Sequence, residues 1–195
     1  MGVFGARFYE EPRYEVFARI DHRIEIRRYA PRLAAQIELP QADRRGRNEA
    51  FRTLFAYTAG ANSASGSVNA RIAMTVPVAV EQPTRIPMTV PVLTSETGGG
   101  IRMQFFLPAK YDLHTAPKPQ DQRVTLVPLQ STTVAILRFS GSGSDWIERQ
   151  TELITRLENS NWRPIEPPYS LFYDAPFTLP FFRRNEAAVA VAQIT

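Results

Sequence analysis

Alternating and helix-spaced apolar positions divide the chain into short strands and two helices. Tyr14 to Ile20 and Ile24 to Tyr29 are rich in β-branched and aromatic residues, and the polar Asp21-His22-Arg23 between them predicts a hairpin. Ile24 and Ile26 share the core-facing side of the second strand. Pro31 breaks the alternation, Leu33 to Leu39 resumes it as a third strand, and Pro40 ends that strand. Asp43 or Asn48 then caps a helix in which Ala50, Phe51, Leu54, Phe55 and Thr58 form one face, opposite Arg45, Glu49 and Arg52. Gly60 stops this helix, and Asn62 to Ser67 is a loop of small residues.

A local repeat follows. Ile72-Ala73-Met74-Thr75-Val76-Pro77-Val78 recurs as Ile86-Pro87-Met88-Thr89-Val90-Pro91-Val92. At least one proline inside each copy removes a ladder donor, so the two read as edge or bulged strands joined around Pro83. Gly98-Gly99-Gly100 makes a turn into a strand from Ile101 to Leu107, and Pro108 to Gln122 reads as a proline-punctuated linker. Arg123 to Leu129 and Thr132 to Phe139 are strands. Asp145 with Glu148 three residues later predicts a capping box, opening a helix with a stripe of Trp146, Ile147, Gln150, Leu153, Ile154 and Leu157. Asn161 and Pro164 end it, and Tyr169 to Tyr173 and Glu186 to Ile194 are the last strands.

Aligned on their helices, the elements run strand, strand, helix, strand, strand twice, in halves of roughly 13–107 and 120–195. Such halves predict an α+β fold: one curved, mostly antiparallel sheet with two helices on it, sharing a core as a single domain over 1–195.

Composition narrows the chemistry. The 195 residues include no cysteine and only two histidines, so disulfides, thiolate metal sites and cysteine nucleophiles are excluded. Lys plus Arg number 23 against 19 Asp plus Glu, a net charge of +4. All but Lys110 and Lys118 of the cations are arginine, the side chain suited to bidentate capture of carboxylates. No basic run exceeds two residues and no nucleic-acid motif occurs, so nucleic-acid binding is not expected. No apolar stretch approaches membrane-spanning length. Met1 to Phe8 has neither a charged n-region nor an apolar h-region, so it does not read as a signal peptide; cytoplasm and periplasm both fit.

Few residues offer reactive chemistry. Ser140-Gly141-Ser142-Gly143-Ser144 lacks the spacers of a nucleophile elbow and the lysine of a phosphate loop, and reads as a strand-to-helix turn. The carboxylates are paired locally with arginine, as in Glu25 with Arg27 and Asp121 with Arg123, so no acid and base stand out for hydrolysis. His22 and His114 both read as surface residues in turns. His114 is in addition a candidate iron ligand, since Tyr111 and the linker can fold over a pocket. Met74 and Met88 read as packing residues, with a soft wall or weak axial ligand for a flat aromatic ligand as the alternative. Phe172, Tyr173, Phe177, Phe181 and Phe182 crowd a proline-rich segment and predict a groove cover or a contact surface.

The chain resembles the SOUL heme-binding family. The resemblance rests on Tyr14-Glu15-Val16, Glu25-Ile26-Arg27-Arg28-Tyr29, Ala50-Phe51-Arg52, the two Met-Thr-Val-Pro-Val segments, Phe106-Leu107-Pro108, Pro117-Lys118-Pro119, Val134 to Gly141 and Arg183-Arg184-Asn185-Glu186, in the family's order. It implies a distorted antiparallel β-barrel of two pseudo-repeated halves flanked by two helices. It also implies non-covalent heme or another tetrapyrrole in a shallow apolar groove beside the first helix. Carried onto this chain, the helix contacts are Phe51, Arg52, Leu54 and Phe55 and the nearby loop contacts Phe181, Arg183 and Arg184; Met74 of the local repeat is a further candidate contact. Some members carry a proposed axial histidine before the tyrosine of the Arg-x-Tyr segment, where this chain has Arg28. Arginine does not ligate iron at neutral pH, so binding by apolar surface and arginine–propionate pairs is expected, suiting sequestration or transport. The other readings are a heme-degrading enzyme on the same scaffold and a protein-interaction module using the Phe172–Phe182 surface.

Overall fold

The computed structural model describes residues 10–41, 43–63, 92–97, 100–174 and 178–194. Strands β1 (Tyr14–Arg19), β2 (Ile24–Tyr29) and β3 (Arg32–Leu39) lead into helix α1 (Arg44–Ala59). There follow β4 (Asn62–Ser63), β5 (Val92–Thr97), β6 (Gly100–Phe106), β7 (Lys118–Pro119), β8 (Thr125–Leu129) and β9 (Thr132–Phe139). Helix α2 (Trp146–Leu157), β10 (Trp162–Pro164), β11 (Tyr169–Phe172) and β12 (Asn185–Gln193) complete the order. Most of the local repeat, including Met74 and Met88, lies outside the described residues.

One sheet runs β1-β2-β9-β12-β11-β5-β6-β3-β8, with β10 also on β12, and every pairing is antiparallel. The hairpin of β1 and β2 forms as the alternation predicts, with a bulge between Val16 and Ala18. Pro128 lies on the edge strand β8, where its missing N–H costs no ladder bond. The two-residue links Ala30-Pro31 and Gln130-Ser131 do not close hairpins. β2 pairs with β9 and β3 with β8, so each link carries the chain across to the other flank of the sheet. Neither link has the Asn-Gly or Gly-rich sequence that a two-residue hairpin turn requires.

Strand alternation separates two faces. On one, Leu33, Ala35, Ile37, Ile101, Met103 and Phe105 meet Ala50, Leu54 and Tyr57 of α1. Further along the same face Ile24, Ile26, Ala135, Leu137, Ala187 and Val189 meet Leu153 and Leu157 of α2. The opposite face gathers Tyr29, Ala34, Leu93, Phe106, Ile136, Leu171 and Ala188, from strands far apart in the sheet order. Those side chains meet because the sheet curls around them into a half-barrel. The fold is therefore α+β, a curled antiparallel sheet carrying two helices.

The helices differ in how they begin. The Asp43 carboxylate accepts the Gly46 N–H at 2.7 Å and caps α1, which leaves Asn48 inside the helix. Gly46 has no alternative, since a Cβ there would stand 2.1 Å from the Gln41 carbonyl oxygen. The capping box expected for α2 does not form. Asp145 occupies the N-cap position but caps no backbone N–H, because its carboxylate takes Arg149 Nε at 2.9 Å instead.

The segment read as a linker is a packed strap. Ala116 belongs to the α1 core, Tyr111 packs against it, and the Tyr57 hydroxyl donates to the Pro117 carbonyl at 2.8 Å. β7 within the strap pairs with β4.

Ion pairs tie α2 to the first hairpin: Arg156 to Asp21 at 2.8 Å and Arg23 to Glu152 at 3.0 Å. The backbone N–H of Arg23, helped by that of Ile24 and by Arg156, holds the Asp21 carboxyl below its ordinary range against some burial. Burial works against the charge of Glu152, but Arg149, Arg23 and Arg156 together lower its pKa. Groups whose pKa is depressed by folding stabilise above the unfolded value, about pH 4, and lose that contribution as pH falls through the folded value. The gap in Tm between wild type and Asp21→Asn should therefore be open at about pH 6 and close as pH falls below about 4. Parallel Tm curves down to about pH 2 would remove Asp21 from this role.

Candidate functional site

Helix α1 buries Ala50, Leu54, Tyr57 and Thr58 against the sheet. Phe51 and Phe55, one turn apart, sit on the flank of that stripe. Their rings stack at 6.1 Å with 17° between planes, and Phe51 also meets the core ring of Phe105 edge-on at 5.5 Å. Phe51 is thus anchored, whereas Phe55 is 43% exposed. Arg52, exposed on the same helix, lines an open cleft with Asp43, Arg44, Arg45, Asn48 and Thr53. It has no carboxylate partner among the described residues; Glu49, also in the cleft, is held by Arg123 at 2.7 Å. Leu54 is fully buried beneath this surface.

The second group of predicted contacts stands on the segment between β11 and β12. A short helical turn over Pro180–Phe182 presents Phe181, 66% exposed, against the ring of Phe182 at 4.5 Å. Arg183 donates through Nε to the Thr178 carbonyl at 2.7 Å, and Gly141 N–H donates to the Pro180 carbonyl, seating this turn on the β9–α2 connection. Arg184 turns inward instead. Its Nη2 lies 2.8 Å from Glu186, and its Nη1 reaches Glu11 at 3.2 Å.

Glu186 is the centre of a buried polar cluster. Fully buried, it accepts from Arg27 Nη1 at 3.0 and 3.1 Å, Arg184 Nε at 2.9 Å and the Tyr173 hydroxyl at 2.6 Å. Burial opposes the charge on Arg27, yet the adjacent Glu186 raises its pKa above the ordinary arginine range. Burial, and then Glu186, push the Tyr173 hydroxyl up. The segments Glu25–Tyr29 and Arg183–Glu186, both quoted for the family resemblance, therefore meet in space. Sequence spacing did not pair Arg27 with Glu186; the available signal was a glutamate opening the apolar run Ala187 to Val191. The local partners read from sequence do form, Arg27 to Glu25 at 2.8 Å and Arg123 to Asp121 at 2.7 Å.

A cavity of about 420 Å³ opens where the 10–13 segment, the Ala30–Leu33 link, the strap and the end of β8 converge. Leu33, Leu107, Leu113, Leu129 and Tyr111 form its apolar walls, with His114 at the strap and Arg32 from β3. The strap thus folds over a pocket with Tyr111 and His114 in its wall. His114 and His22 are exposed, and no group of three His, Asp or Glu able to hold a metal occurs among the described residues.

A curled antiparallel sheet with two helices on one face is a build this chain shares with several solved structures. These include a hydrolase from Listeria innocua (13% identity, 90% of this chain and 94% of that one, TM-score 0.53). A conserved protein from the same organism is similar at 12% identity, over 88% and 93%, with TM-score 0.58. The C-terminal domain of EcmrR is similar at 8% identity, over 93% and 99%, with TM-score 0.55. At these identities the likeness is one of fold. Comparison with curated protein sequences gave no significant match. The family profile of the SOUL heme-binding protein matches residues 9–190, and the chain belongs to that family.

Proposed function

We propose that this protein binds heme or a related tetrapyrrole reversibly, as a carrier or sequestering protein, on the outer face of α1. The observation that carries this reading is the stacked Phe51–Phe55 pair, anchored at one ring and open at the other, on a helix that also exposes Arg52, which has no carboxylate partner among the described residues. A flat macrocycle needs an apolar surface for its face and cations for its propionates, and this arrangement offers both. Leu54 supports the surface from beneath. Phe181 is the second apolar contact in this reading. Arg183 and Arg184 contribute by shaping the turn that carries Phe181, since their guanidinium groups already serve Thr178, Glu186 and Glu11. Arg28, whose guanidinium stands 4.6 Å over the Phe17 ring, supplies no iron ligand, which favours reversible binding over a fixed redox centre.

Hemin titration followed at the Soret band tests this. Wild type is expected to shift the band at micromolar hemin, and Phe55→Ala and Arg52→Glu each to weaken binding about three- to tenfold, the scale of one exposed contact. An unchanged spectrum would refute the reading. With reductant and oxygen the bound heme is expected to stay intact; appearance of a bilin would favour a degrading enzyme.

A further inference from the structure

Arg32 stands apart from the other arginines on the curled face. Its Nε is buried with no acceptor, its Nη1 makes one long bond of 3.4 Å to the Ala30 carbonyl, and no carboxylate pairs with it among the described residues. The rings of Tyr29 and Phe106 lie 4.8 and 5.0 Å from its Cζ. Desolvation acts against its charge, and the offsetting carboxylate that Arg27 and Arg184 find in Glu186 is missing. A partly buried guanidinium is ordinarily satisfied by an anion, because its unmet N–H groups cost free energy on removal from water.

Arg32 lines the cavity of about 420 Å³, and the acidic residues in that wall are already engaged. Glu10 accepts the Ala109 N–H at 2.9 Å, Glu11 holds Arg184 at 3.2 Å, and Asp112 accepts the N–H groups of His114 and Thr115 at 2.8 Å. A second cation, Arg13, sits in the lining and pairs with no carboxylate among the described residues. The remaining lining is leucine, proline, alanine and Tyr111, with His114 and Gln130. Apolar walls beside an arginine with no carboxylate partner among the described residues suit an anion that carries an apolar body better than a bare inorganic anion.

We infer that this cavity is a binding site for a small organic acid with an apolar or aromatic body, its carboxylate held by Arg32 with Arg13 at the opening. The site is separate from the α1 face and does not depend on tetrapyrrole binding there.

The test uses 2-naphthoate as probe, followed by its fluorescence and by calorimetry, with methyl 2-naphthoate as the uncharged control. Wild type should bind the acid at least about tenfold more tightly than the ester. Arg32→Met, which keeps the apolar stem, should lose at least about tenfold in affinity for the acid. Leu113→Trp, at a half-exposed wall position away from the core, should obstruct the cavity and weaken binding without a loss of Tm. Hemin titration of Arg32→Met should match wild type, so failure of the tetrapyrrole reading would leave this result standing. The inference is overturned by no binding of the acid at millimolar concentration, by equal binding of acid and ester, or by full affinity in a folded Arg32→Met. Stoichiometric displacement of the probe by hemin would also overturn it, assigning Arg32 to a tetrapyrrole propionate.

Discussion

Glu186→Ala is expected to destabilise the protein by about 3–5 kcal/mol in urea unfolding, the cost of removing one partner from a buried ion cluster. The substitution leaves the guanidinium groups of Arg27 and Arg184 facing each other in the interior and the Tyr173 hydroxyl without its acceptor. Glu25 and Glu11 reach the outer ends of the two arginines, which offsets part of this loss but cannot fill the position between them. Glu186→Gln should fall between Ala and wild type, since it keeps the shape and one acceptor oxygen but not the charge. A loss this size is a large fraction of a typical domain's stability of about 5–15 kcal/mol. Replacing Arg27, Glu186 and Arg184 together with methionine should cost less than Glu186→Ala alone, because no charge is then left buried. A cost below about 1 kcal/mol for Glu186→Ala would mean that water reaches the cluster.

Leu54→Ala is expected to cost about 2–5 kcal/mol, the range for a large-to-small change at a fully buried position. Hemin affinity of the folded protein should change little. Phe55→Ala should behave oppositely, with a stability change under about 1 kcal/mol and the weakened hemin binding described above. The two residues are neighbours on one helix and both belong to the segment carried over from the family. Urea unfolding and Soret titration on the pair therefore separate support from contact. Comparable affinity losses in both variants would show that the ligand reaches beneath the helix surface.

Much of this fold was legible because burial on one face writes itself into the sequence with period two or 3.6. Ile24 and Ile26, and Leu153 and Leu157, identify their faces without any knowledge of what they meet. Period two says which way a side chain points but not which strand lies alongside, so the exchange of β2 and β3 between flanks could not be read. The same limit hid the Arg27–Glu186 contact. On α1 the apolar stripe was read about one position too wide: Ala50, Leu54 and Tyr57 face the sheet, and Phe55 is carried round to solvent by the helical advance of 100° per residue. Asp145 had the sequence of a cap, but an arginine one turn on competed for its carboxylate. The proline-rich 108–122 segment reads as a linker because its few apolar residues, Tyr111 and Ala116 among them, have no period, yet it packs by filling gaps beside α1.

The exchange of strands between flanks also sets an order of events in biosynthesis. β2 finds its partner β9 only about a hundred residues later, and β3 waits nearly as long for β8. A nascent chain that has emerged through β6 holds β3, β5 and β6 but must keep the first hairpin without its long-range neighbour. Such a chain closes its sheet late, after β9 and β12 leave the ribosome, and its folding rate is governed by these distant pairings. Cutting the gene between α1 and β8 would yield two fragments that each lack an outer strand, so complementation from co-expressed fragments is the form in which a split version of this protein would assemble.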